Sequence, residues 1–313
     1  LLEMDYLQWS EHCEQEMLAK ERHPIAAEFL ALRESLNLSD VGDELALKDI
    51  ASVYTDYLHK CRAAGFQLLQ PGRFILPGEL AGAPVLDFFP LSEDQIQQLA
   101  NRHAKKGSNR DLLFKRYEHY QEQVVKPFYV QHFKRFDRQV VLVDCLSALN
   151  HGSAHFNDLQ RALNWLLTSF EYGKSNVLSR LFSPKIDKLI FAASKADHVT
   201  PDQQSNLVKL LDSMLHNARK QMQFDGVSTE STAIAAIRAS RAGKVVHQGE
   251  NIQILQGSDQ AGDVPSKCPD NQFWQNQGFD FPRFAPPNRA ENQALPHIRM
   301  DRVLEFILGD KIQ

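Results

Sequence analysis

The stretch "KLIFAASKADHV", residues 188–199, decides how this sequence folds. The run Leu189-Ile190-Phe191-Ala192-Ala193 has the length and composition of a strand covered on both faces. It stops at Ser194-Lys195-Ala196-Asp197. Beyond it, Thr200 as N-cap, Pro201 in the first turn and Gln203 closing a capping box announce a helix over about 201–223. In a parallel α/β sheet, ligands bind where loops leave the carboxyl ends of strands. An aspartate placed there can accept from two adjacent N–H donors of one flat ring. Guanine presents that pair at N1 and N2; adenine does not. A lysine two positions earlier can lay its methylene stem along a purine face while its ammonium stays wet.

Working outward, "QVVLVDCL" (139–146) is a second apolar run of strand length and "STAIAAIRAS" (231–240) a third. A helix over about 154–172, with Phe156, Leu159, Leu163, Leu166, Leu167 and Phe170 in one stripe, separates the first strand from the second. Strand-helix-strand-helix-strand is one side of a parallel sheet. The third strand end should set a backbone N–H against the guanine O6. Ala236-Ile237 is the expected register and Ala239-Ser240 the alternative. A plainer reading leaves the third strand without ligand contact and makes Lys195 and Asp197 solvated loop residues, Asp197 merely helping to start a helix. Residues 241–296 are polar and read as irregular, with a small hairpin around "KVVHQGENIQIL"; a last helix spans about 299–309 and ends at Gly309.

The first 135 residues are mostly helical in pattern. Residues 1–36 read as helix. In the next helix, 43–64, Ile50, Val53, Tyr54, Tyr57, Leu58 and Cys61 share a face, and Gly65 stops it. The Pro- and Gly-rich "QPGRFILPGELAGAPVLDFFPL" (70–91) reads as an ordered or mobile loop without helix. Ser92 and Gln95 form a capping-box pattern. A long helix over 109–135 carries Leu113, Tyr117, Tyr120, Val124 and Phe128 inward, with a kink expected at Pro127.

A net charge of −4 gives no electrostatic reason to expect a nucleic-acid partner. No apolar run is long enough for a transmembrane helix. The four scattered cysteines, none in CxxC spacing, suit free thiols in a reducing cytoplasm. Three apparent motifs are set aside. Gly173-Lys174-Ser175 lacks the glycine of GxxxxGK[ST] and follows a helix, so Gly173 reads as a helix cap. Asp144 resembles a magnesium-holding acid but lacks the DxxG glycine, and reads as a strand-end residue. His12, Cys13 and Glu16 read as a solvated helix face. No metal ligand, catalytic residue or acyl-transfer nucleophile motif is assigned.

A four-residue [STN]KxD pattern arises by chance in roughly one chain in seven of this length, so its weight comes from its place between a buried strand and a capped helix. Ser194-Lys195-Ala196-Asp197 in that place resembles the [NT]KxD signature of Ras-like GTP-binding proteins. Longer stretches, "YTDYLHKC", "QPGRFILPGELAGAPVLDFFPL", "HFKRFDRQVVLVDCL", "LFSPKIDKLIFAASKADHVT", "LPHIRMD" and "LEFILGDK", resemble the YcjX family of bacterial stress-associated proteins. The resemblance implies an α/β fold: the C-terminal half of a Ras-like P-loop GTPase sheet with a large helical insertion. It divides the chain into 1–20, the end of a switch-region segment; 21–135, the helical insertion; 136–245, the base-recognition half; 246–296, an irregular insertion; and 297–313, a C-terminal helix. It implies guanine recognition by Lys195 and Asp197, with His198 completing the run, and GTP or GDP with Mg²⁺ as cofactors of the intact protein. The phosphate loop and a D-Y-P-G switch motif are expected before the equivalent of Leu1, so this chain would begin mid-protein and be inactive by itself. The family setting implies slow GTP turnover and an envelope-stress partner; the alternative is a non-catalytic helical interaction module on a vestigial nucleotide-binding scaffold.

Overall fold

The computed structural model describes residues 1, 4–99, 105–132, 136–169, 186–224, 227–247, 250–255, 264–276, 278–282, 284 and 294–312. The chain divides into two compact units, Leu1–Arg135 and Phe136–Gln313.

The first unit carries helices α1 (Tyr6–Met17), α2 (His23–Glu34), α3 (Glu44–Ala63), α4 (Glu93–Leu99), α5 (Asn109–Tyr120) and α6 (Lys126–Gln131). The single helix expected over 1–36 is broken, because Pro24, in the first turn of α2, cannot continue a preceding helix. On α3, Ile50, Tyr54, Tyr57, Leu58 and Cys61 are buried and Val53 is partly so. The helix closes in a Schellman turn: Phe66 N–H donates to the Cys61 carbonyl (3.1 Å) and Gly65 N–H to that of Arg62 (3.0 Å). Gly65 takes φ 95°, which a side chain would strain. The expected capping box of α4 forms, Gln95 N–H donating to Ser92 Oγ and Ser92 N–H to Gln95 Oε1.

The stretch 70–91 is core, not loose loop. It forms one helical turn, Gly72–Ile75, and two 3-10 turns, and it buries Phe74, Phe88, Phe89 and Leu91. Phe88 packs against Trp9, Phe74, Tyr117 and Tyr120 with ring centroids 5.0–5.7 Å apart. Trp9 of α1 sits in this same core, so packing draws no line between residues 1–20 and 21–135. The irregularity expected at Pro127 appears as a π-helical turn, Gln121–Val125, just before it. Proline at that point lacks an N–H and crowds the carbonyl four residues back, and the wider turn absorbs both.

The second unit is α/β: β1 (Arg138–Val143), α7 (Cys145–Asn150), α8 (Ser153–Ser169), β2 (Lys188–Ala193), α9 (Gln204–Phe224), β3 (Ser228–Ala233), the hairpin β4 (Ala242–His247) and β5 (Glu250–Leu255), α10 (Asn271–Asn276) and α11 (Met300–Leu308). The sheet is parallel, in order β1-β2-β3, with Val143, Ala193 and Ala233 abreast at its carboxyl end. Three boundaries differ from the sequence reading. The first strand ends at Val143, because Asp144 caps α7 by accepting from Ser147 N–H (3.0 Å). The third runs over 228–233 and not 231–240, since Ala235 leaves the ladder to bridge Ile298. The helix after β2 begins at Gln204, residues 201–203 forming a lead-in turn whose Gln203 N–H donates to the Thr200 carbonyl.

Leu189, Phe191 and Ala193 pack with α8 and α9 on one face of β2. Ile190 and Ala192 pack under Val303 of α11 on the other. On α8, Leu166 is exposed and not part of the inner stripe; Phe170 and Gly173-Lys174-Ser175 lie outside the described residues. β1 is not covered on both faces: Val140 and Leu142, which share the α11 side with Ile190, are 40% and 65% exposed within a unit where Ile190 is fully buried. At the opposite, amino end of the strands, Asp310 accepts from Arg138 (2.6 Å) and Lys188 (2.7 Å).

Candidate functional site

The expected site lies at the carboxyl end of β2. Ser194 continues the strand by donating its N–H to the Val143 carbonyl (2.9 Å). Lys195 then turns the chain in the left-handed region, φ 61° and ψ 34°. That conformation is costly for a residue with a Cβ and marks a turn held by its surroundings. A 3-10 turn, Ala196–His198, follows. Ala196 N–H donates to the Ile234 carbonyl (2.9 Å), and the Gln204 side chain donates to the Ala196 carbonyl (3.1 Å).

Asp197 is 4% exposed. Its Oδ2 accepts the Ala239 N–H (2.7 Å), and its carbonyl accepts the Ser240 hydroxyl. Oδ1 has no partner among the described residues. His198 is buried, with Nδ1 2.8 Å from the Pro282 carbonyl and its ring edge-on to Phe284.

Lys195 Nζ pairs with Asp144 Oδ2 at 2.5 Å. The other Asp144 oxygen caps α7, so both are engaged.

The loop after β3 carries both expected registers. Ala235 N–H donates to the Ile298 carbonyl (3.2 Å) and Arg238 N–H to that of Pro296 (2.7 Å). Between them, Ala236 and Ile237 have exposed side chains and amides that donate to no described residue. The alternative register is already occupied, since the Ala239 amide is held by Asp197.

The supporting residues Asp144, Gln204, Ala239, Ser240 and Pro282 were not legible as a set. Aligning the strand ends would have placed Asp144 beside Lys195; Pro282 lies in a polar segment that carries no periodic signal. The sequence-proximal trio His12, Cys13 and Glu16 is not a solvated face throughout. The Cys13 thiol is buried 3.6 Å from the Tyr54 hydroxyl, and that burial pushes it up to about 12.

The sequence profile of the YcjX-like family, DUF463, matches residues 1–312. A protein of Escherichia coli K12 named "Ras-like GTPase YcjX" is 44% identical over the whole of this chain, which spans 69% of its length. A protein of the same name from Shewanella oneidensis MR-1 is 43% identical, and the chain spans 67% of it. The described helices include none long and apolar enough to cross a membrane. With its profile match running almost end to end, the chain belongs to the YcjX-like family.

Proposed function

We propose that this protein binds guanine nucleotides, with residues 194–198 and 236–237 forming the base site, and that the intact protein is a slow GTPase of the Ras-like class. The observation that carries this is the Asp197 carboxylate, buried at a parallel strand end with Oδ1 open. Oδ1 would accept one ring N–H. Oδ2, which keeps a second lone pair, would accept the other. The Lys195 stem would lie on the purine face, and an Ala236 or Ile237 amide would meet O6. His198 belongs to the base site by holding the turn through Pro282.

GTP or GDP with Mg²⁺ is the proposed ligand, and since residues 1–313 contain no GxxxxGK[ST] pattern, no phosphate or Mg²⁺ ligand is assigned among them. Free and mostly buried thiols support placing the protein in a reducing cytoplasm.

Calorimetry on the full-length protein with GDP and ADP tests the proposal. GDP should bind more tightly. Asp197→Asn, which turns one acceptor into a donor, should cost about 2–4 kcal/mol of GDP binding. Equal GDP and ADP affinities in the wild type would end the guanine assignment.

A further inference from the structure

We propose that Asp144 is a positioning residue for nucleotide binding, holding Lys195 in the pose that contacts the base; this rests on the base site proposed above. Asp144 and Lys195 are brought together by register. Val143 and Ala193 are paired neighbours, so the residues one and two beyond them meet at the rim of the sheet. Asp144 is itself fixed, because Oδ1 accepts the first-turn amide of Ser147 while Oδ2 faces the ammonium. A carboxylate held at one oxygen by a helix cap is a rigid anchor for a flexible lysine at the other. The anchor stands just past the end of β1 and the lysine backbone just past the end of β2, so the methylene stem runs between adjacent strand ends. The left-handed Lys195 backbone aims the stem, and the ion pair fixes its tip. The stem's rotamer freedom is thereby reduced before the nucleotide arrives, which lowers the entropy lost on stacking.

Asp144 and Lys195 are 34% and 43% exposed, so the pair is partly screened. A pair of that kind supplies on the order of 0.2–1 kcal/mol, which as affinity is roughly 1.5- to 5-fold. Asp144→Asn is the informative variant, because asparagine caps a helix as well as aspartate and removes only the charge.

The experiment is a double-mutant cycle in the full-length protein, reading GDP, IDP and ADP affinity by calorimetry for wild type, Asp144→Asn, Lys195→Met and the double variant, with melting temperatures alongside. A positioning role predicts about 1.5- to 5-fold weaker GDP binding in Asp144→Asn, with no further loss when Asp144→Asn is added to Lys195→Met. IDP, which lacks the 2-amino group, should lose the same factor, since the lysine meets the ring face and not its edge. A loss that persists in the Lys195→Met background, or wild-type affinity in Asp144→Asn, would overturn the role. Indifference of the wild type to GDP against ADP would instead overturn the base site, and this role with it. A lowered melting temperature with unchanged affinity would likewise count against positioning.

Discussion

At the scale of single residues, Lys195 carries two opposed demands. Its backbone sits at φ 61°, which costs an L-residue about 1–2 kcal/mol, while its side chain gains only a half-exposed ion pair. Stability alone would favour glycine there. Lys195→Gly should therefore leave the denaturant midpoint unchanged or raise it, while weakening guanine-nucleotide binding. A fall of more than about 1 kcal/mol in unfolding free energy would show that the turn depends on the side chain for its fold. The Lys-x-Asp pair itself was legible, because a buried strand and a helix start bracket it. What supports it was not, since the contacts to Asp197 come from residues 42 and 43 positions away and obey no local period.

At the scale of elements, the amphipathic stripe of α3, the Ser92 capping box and the parallel strand order could all be read from the sequence, because each rests on spacing within a few residues. The stretch 70–91 could not, since proline and glycine mask a segment that buries five large side chains, Phe74, Ile75, Phe88, Phe89 and Leu91. Phe88→Ala should destabilise by about 3–5 kcal/mol in chemical denaturation, the cost of a large core cavity; a loss below about 1 kcal/mol would return the segment to the status of a loop. The end of α11 gives a pH signature. Arg138 and Lys188, through their hydrogen bonds, hold the Asp310 carboxyl below the usual carboxylate range. A lowered folded value means stability present above the unfolded value of about 3.9 and lost as pH falls through the folded one. The melting-temperature gap between wild type and Asp310→Asn should stay constant from about pH 6 to 8 and close below about pH 4, remaining small throughout because the group is solvent-screened. A gap that widens in acid would contradict the assignment.

At the scale of the whole molecule, an aromatic helical unit and a parallel α/β unit are carried on one chain, and the change from amphipathic stripes to continuous apolar runs near residue 139 marks the transition. The exposed faces of the second unit were only partly legible. Ile190, Val140 and Leu142 look alike as sequence, and only α11 distinguishes them by lying over the first and not the others. An apolar, edge-strand face of that kind promotes association. In a polypeptide of residues 1–313, Leu142→Lys should reduce light scattering and dye binding while changing stability by no more than about 0.5 kcal/mol; unchanged scattering would exclude that face as its source. The last consequence concerns the other end of the sheet. Arg138 and Lys188 stand side by side at the start of β1 and β2, two like charges that would push the strands apart, and Asp310 bridges them, offsetting part of that repulsion. The strands thus resemble pages stitched along one margin. Slippage of β1 past β2 would break the whole ladder from Arg138 to Val143 together with the Asp310 bridge, so a displacement that a ligand imposes on Lys195 or Asp197 falls on the two loops at the opposite margin, residues 194–200 and 234–240.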